Sequence, residues 1–165
     1  MSGVELILSE QDEARLTGLL SQLCVAVRGR AAFLIDPHGR ALAAAGETTG
    51  IDATSLAALA AGSLAAGDGL VRMVGEDGVL AIHHEGGTSD LYLWAAAESA
   101  ILVVQFDRRS SLELVRLQAR SFGREVARLF AEMAEGSAQD TGRRKEFQAE
   151  RSQVSEADID NLFTG

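Results

Sequence analysis

Apolar positions recur along this chain with a helical period, then in short strand-like runs, then with a helical period again. Over residues 9–28, Leu16, Leu19, Leu20, Leu23 and Val27 fall at i, i+3, i+4, i+7 and i+11, the single stripe of an amphipathic helix. Ser9 with Asp12 three residues later predicts a capping box, and Gly29 a stop. The apolar run Ala31–Ile35, the turn residues Asp36-Pro37-His38-Gly39 and the return Arg40–Ala45 predict a hairpin.

Asp52 caps a second helix over 54–75, in which Leu56, Leu59, Leu64, Leu70, Met73 and Val74 are separated by alanines and glycines. Gly62, Gly67 and Gly69 each cost that helix about 1 kcal/mol relative to alanine. Two readings account for such small residues: a tight fit against this chain's own sheet, or close approach of another helix. Three strands follow, Val79–His84, Asp90–Ala95 and Ala100–Phe106, turned at Gly86-Gly87 and Glu98-Ser99. The near-continuous apolar character of the last predicts a central strand covered on both faces.

Ser110 with Glu113 predicts another capping box, opening a helix to about 134 with Val115, Ala119, Phe122, Val126, Leu129 and Met133 on its core face. Residues 1–134 thus form one domain. Residues 135–154 carry few apolar positions and predict a flexible linker. Residues 155–165 form a last segment, with Ser155 and Asp158 capping a short helix and Ile159, Leu162 and Phe163 on one face. That cluster either docks on its own domain or recognises a partner by laying a helix in a groove. The order αββαβββα, without strict βαβ alternation, predicts an α+β sandwich around one five-stranded antiparallel sheet, with edges that need cover.

The chain has 165 residues and is 47% hydrophobic, enough for one core. Its net charge of −9 opposes the phosphate neutralisation that nucleic acids require and disfavours anionic lipid. No apolar run is expected to approach the roughly 18–20 residues that span a bilayer, and the start carries no secretory signal. A single cysteine, Cys24, fits a reducing, cytoplasmic compartment and reads as a small buried hydrophobe.

Catalytic chemistry is sparse. Gly62 and Gly67 have phosphate-loop spacing, but Asp68 stands where the lysine belongs and would repel phosphate. His83 and His84 are adjacent on a strand, so they point to opposite faces and cannot share one metal ion. No cofactor site is expected. Arg116, Arg120, Arg124 and Arg128 recur every four residues, as a solvated face with Glu113, Glu125 and Glu132 nearby, or as a surface for an acidic partner.

Several stretches carry a family resemblance: Phe33-Leu34-Ile35-Asp36 with Gly39, Ala45-Gly46-Glu47-Thr48, Ile51–Gly62, Phe106-Asp107 with Ser111–Leu117, and Asp158-Ile159-Asp160-Asn161-Leu162-Phe163. Together with the element order they resemble the Roadblock / dynein light-chain superfamily and, within it, the bacterial MglB family. The resemblance implies a Roadblock fold and a homodimer with second helices side by side and sheets joined. It implies binding to the Ras-like GTPase MglA in its GTP form and stimulation of hydrolysis without an arginine finger and without a catalytic site of its own. It also implies a terminal helix that favours nucleotide exchange, and a role in cell polarity and surface motility, with concentration at a cell pole. On that basis the partner-binding residues are Ala58, Ala61, Ala65 and Gly69 on the second helix, and Asp158, Ile159, Asp160, Leu162 and Phe163 in the tail. Two alternatives stay open: a scaffold dimer that recruits a GTPase or motor complex without activating it, and a small-molecule sensor of profilin-like or PAS-like architecture.

Overall fold

The computed structural model describes the backbone at residues 7–97 and 100–163, and side chains at 7–96 and 100–151. The expected turn at Glu98-Ser99 lies outside the described residues. The elements are α1 (Glu10–Val27), β1 (Ala31–Ile35), β2 (Ala41–Gly46), α2 (Ala53–Met73), β3 (Ala81–His84), β4 (Asp90–Ala97), β5 (Ala100–Phe106) and α3 (Leu112–Phe163). The sequence places all eight in this order. The chain divides into two compact units, Met1–Val126 and Ala127–Gly165.

In the first unit the strands form one sheet in the order β2-β1-β5-β4-β3, with every neighbouring pair antiparallel. β5 is central and almost wholly buried, as its unbroken apolar run requires. Alternate residues of each strand serve opposite faces. Phe33 and Ile35 of β1, Leu93 of β4, and Ile101 and Val103 of β5 meet Ala57, Ala60 and Leu64 of α2. The opposite face carries the intervening residues of the same strands. Trp94 of β4 lies there against α3, where a Cβ on Gly123 would collide with its ring.

Local chemistry sets the element ends. The Ser9 side chain accepts from the Asp12 backbone while the Asp12 carboxylate accepts from Ser9, the reciprocal box expected at α1. The left-handed residue that ends α1 is Arg28 (φ 52°) rather than Gly29, and the Gly29 N–H then caps the Cys24 carbonyl at 2.9 Å. In the β1–β2 turn, the buried Asp36 carboxylate accepts from the backbone N–H groups of His38 and Arg40 and from Arg40 Nε, each at 2.9 Å. Burial pushes the Asp36 carboxyl up, but the Arg40 and His38 hydrogen bonds and the Arg40 charge outweigh it and hold it below the usual range.

Three expectations need correction. The cap of α3 is Ser111, whose hydroxyl accepts from the Leu114 N–H at 3.2 Å, and not Ser110. The one-residue shift puts Glu113 in the second helical position, too early to close a reciprocal box. Residues 135–154 are not a break between two helices, because α3 runs unbroken from Leu112 to Phe163 and no new helix starts at Ser155. Scarcity of apolar residues denies this stretch a burying face, yet its Ala, Gln, Glu, Lys and Arg residues are good helix formers. An Asp140–Arg144 pair one turn apart, at 3.8 Å, adds to it. Finally, α2 is by length and a mean hydropathy of 1.3 apolar enough to cross a membrane, contrary to expectation, because its alanines count as well as its leucines. Ala57, Ala60 and Leu64 pack that helix onto the sheet.

Candidate partner-binding surface

The site is built on α2. Asp52 caps it, accepting from the backbone of Thr54 at 3.1 Å and of Ser55 at 3.3 Å, and from the Ser55 hydroxyl at 2.6 Å. The Ser55 hydroxyl and then its N–H hold the Asp52 carboxyl below its ordinary range, so the anion at the helix start persists further into acid. The far end is tied down by Asp68. Its carboxylate accepts from Arg72 Nε at 2.7 Å and from the Val79 N–H at 3.1 Å, fixing the chain that leads into β3. The aspartate that displaces the phosphate-loop lysine is thus a structural tether.

Between these ends α2 inverts the usual amphipathic arrangement. Its buried side chains are small, Ala57 and Ala60, apart from Leu64. Its exposed side chains include Leu59 (73% exposed), Leu70 (67%) and Met73 (84%). With Gly62, Ala66 and Gly69 these residues recur in steps of three and four and form one continuous outward stripe. Val74 and Leu80, also exposed, extend it toward β3.

The two readings of the glycines divide by position. A Cβ on Gly67 would sit 3.0 Å from Ile82 Cδ1, so Gly67 serves the fit of α2 on its own sheet. A Cβ on Gly62 or Gly69 would meet nothing within 4 Å, so these two leave the outward face low and open. Of the four small residues expected to bind a partner, Ala58, Ala65 and Gly69 are exposed, whereas Ala61 is half-buried against the core. Ala58 lies beside the β1–β2 turn, its Cα 3.1 Å from where a Gly39 Cβ would be. Sequence reading grouped Leu59, Leu70 and Met73 with the helix's other apolar residues and missed that they face outward. The available signal was two interleaved apolar stripes on one helix.

β3 borders this face and is an edge of the sheet. Its two histidines point to opposite faces, as adjacency on a strand requires. His83 Nε2 lies 2.8 Å from Asp90 Oδ2, and the His83 ring stacks on Phe106 with centroids 6.0 Å apart. The His83 hydrogen bond, with that of the Gly86 N–H, holds the Asp90 carboxyl low. His84, on the α2 side, lies 3.3 Å from the Ser63 hydroxyl. Among the described residues no three His, Cys, Asp or Glu side chains gather as metal ligands. Cys24 is buried with Sγ 3.8 Å from the Ala45 carbonyl oxygen, and burial pushes its thiol up, away from the reactive thiolate.

The arginines differ in their surroundings. Arg109 grips Asp107 through Nε and a terminal nitrogen, both at 3.1 Å, and Arg72 is held by Asp68. Arg116, Arg120, Arg124 and Arg128 are exposed along α3. Burial raises the Tyr92 phenol, and the charges of Arg116 and Arg120 work against that rise. Asp158, Ile159, Asp160, Leu162 and Phe163 fall in the last turns of α3, and their side chains lie outside the described residues.

Comparison with known proteins bears on this architecture directly. The Roadblock/LC7 domain matches residues 15–106. Among solved structures the chain is similar to Myxococcus xanthus MglB, at 34% identity over 78% of this chain and 96% of that one, with a TM-score of 0.71. It is similar to an MglB with a tetrameric arrangement, at 28% identity over 80% of this chain and 99% of that one, TM-score 0.71. It is likewise similar to the gliding protein MglB of Thermus thermophilus, at 29% identity over 79% of this chain and 99% of that one, TM-score 0.69. No curated protein sequence matches it. The inverted helix, the five-stranded sheet with its open edge and these similarities lead to one assignment: the chain belongs to the Roadblock/LC7 family, in its MglB-like branch.

Proposed function

We propose that this protein is a homodimeric regulator of a Ras-like GTPase of the MglA type, which it binds and whose GTP hydrolysis it stimulates. The observation that carries the reading is the outward apolar stripe of α2 running to the open edge β3. A helix exposing Leu59, Leu70 and Met73 while burying alanines has its packing partner outside its own chain. A second copy, with α2 against α2 and β3 against β3, covers the stripe and the edge together. The similarity to MglB structures, one of them in a tetrameric arrangement, supports self-association.

In such a pair Ala58 and Ala65, exposed on the flank of the covered stripe, with Gly69 at its border, present a low surface on which a GTPase switch region rests. On this reading the protein contributes no catalytic group and stimulation comes from repositioning the GTPase's own residues; the engagement of Arg72 by Asp68 and of Arg109 by Asp107 supports it. The segment with Asp158, Ile159, Asp160, Leu162 and Phe163 binds the GTPase separately and promotes nucleotide exchange. The process served is cell polarity and gliding motility, from the cytoplasm and concentrated at a pole; the similarity to a gliding protein supports this.

The test is single-turnover GTP hydrolysis by the MglA-type GTPase of the same genome, with and without this protein. Stimulation of at least tenfold is expected, and Ala65→Arg abolishes it while leaving the dimer folded. Co-elution with the GTPase without stimulation favours the scaffold reading instead. Neither binding nor stimulation overturns both.

A further inference from the structure

On the α2 side of the sheet, beside the outward stripe, one titratable side chain has no countercharge among the described residues. His84 is exposed on the edge strand, and its hydrogen-bond partner across the face is the neutral Ser63 hydroxyl. Ser63 lies one turn from Leu59 and two from Leu70. His84 is therefore continuous with the surface that the second copy covers. We propose that His84 makes self-association pH-sensitive, so that protonating it drives the two copies apart.

The inference rests on the self-association reading above and adds its regulation. Imidazole ordinarily changes charge between pH 5 and 8. A neutral imidazole with one nitrogen already bonded to Ser63 enters an interface at a smaller cost than a charged one. A protonated one must lose water there, and burying a charge without a counterion is strongly unfavourable. The twofold pairing doubles the effect, because each copy brings its own His84 to the shared edge.

The groups around His84 offer no relief. From α2 it meets Ser63, and the nearest carboxylate on that helix, Asp68, is committed to Arg72 and to the Val79 N–H. Across the strand pair its register partner in β4 is Leu91. Asp90 is engaged by His83 and the Gly86 N–H. Glu85 follows in the chain and is exposed. His83 is the internal contrast: its Nε2 lies 2.8 Å from the Asp90 carboxylate, so a counterion is already in place there and pairing does not depend on it.

The dimer dissociation constant, measured by sedimentation velocity on the full chain at pH 8.0 and pH 5.5, tests this. Far-UV circular dichroism at both values checks that the chain stays folded. The wild type is expected to dissociate at least tenfold more readily at pH 5.5. His84→Gln removes the pH dependence, His83→Gln retains it, and His84→Lys, charged throughout, weakens pairing tenfold or more already at pH 8.0. A dimer equally tight at both pH values, or an undiminished dependence in His84→Gln, overturns the proton switch alone. A monomer at pH 8.0 overturns the self-association on which it rests, and the switch with it.

Discussion

The helices α1 and α2 are close in length, yet they solve opposite problems. α1 buries Leu16, Leu20, Leu23 and Val27 and turns mainly polar residues outward. α2 buries Ala57, Ala60 and Leu64 and turns Leu59, Leu70 and Met73 outward. An exposed leucine is ordinary on its own, but a helix that aligns three large apolar side chains on its outer face is shaped for a second contact. α1 is finished by its own domain, whereas α2 leaves an apolar stripe uncovered by it.

Mutations that treat the two helices alike break this comparison most sharply. Leu20→Ala in α1 is expected to lower the urea-unfolding free energy by about 2–5 kcal/mol, since a fully buried leucine leaves a cavity. Leu59→Ala in α2, measured at a dilution where copies are apart, should change it by no more than about 0.5 kcal/mol. Equal losses would show that α2 is packed like α1.

The hairpin between the helices gives the next largest effect. Asp36→Ala strips three hydrogen bonds made by a buried carboxylate to an otherwise exposed turn and should cost about 1–3 kcal/mol at pH 7. The folded Asp36 carboxyl is held below its ordinary value, so its stabilisation is present above the usual carboxylate range. That stabilisation is lost as pH falls through the depressed folded value. The gap between wild type and Asp36→Ala should therefore narrow below about pH 4; a gap that stays constant through acid titration refutes a role for the carboxylate charge.

Much of this was legible in the residues. Ser9 and Asp12, Asp52, the Asp36–Gly39 turn and the apolar run of β5 are local signals, and each governs the few residues around it. Two adjacent serines defeated the same logic at α3, because Ser110 and Ser111 both satisfy the cap pattern and only the backbone path chooses Ser111. Residues 135–154 misled for another reason. Periodicity reports burial, and a helix with all these residues exposed through position 150 has no stripe to display. The outward stripe of α2 escaped because an apolar pattern on a helix with two interleaved stripes does not say which of them faces the chain's own core. Ala61, at helical spacing from Ala58 and Ala65, shares their composition but faces the core.

Two glycines of α2 sharpen the comparison at smaller scale. Gly62→Ala points into open space and should stabilise the isolated chain by up to about 1 kcal/mol through helix propensity. It should nevertheless weaken self-association. Gly67→Ala should gain less, since the new methyl stands 3.0 Å from Ile82 Cδ1 and that side chain must shift. Chemical denaturation of both variants, with sedimentation of Gly62→Ala, checks the pair; identical gains would mean the two faces are not distinct.

The smallest effect is expected at the arginines. Arg72→Ala, Arg108→Ala and Arg109→Ala should each reduce GTPase stimulation by less than tenfold, against the roughly 10³–10⁵-fold contribution of an arginine finger. A loss of that larger size in single-turnover hydrolysis would identify a finger.

The outward face of α2 is most directly tested by molar mass in solution. Light scattering at micromolar concentration should give the wild type about twice the chain's 17.4 kDa, or a higher even multiple. A folded Leu70→Glu/Met73→Glu double variant should give the single-chain value of 17.4 kDa. A wild type that is monomeric, or a double variant whose mass is unchanged, would contradict the account.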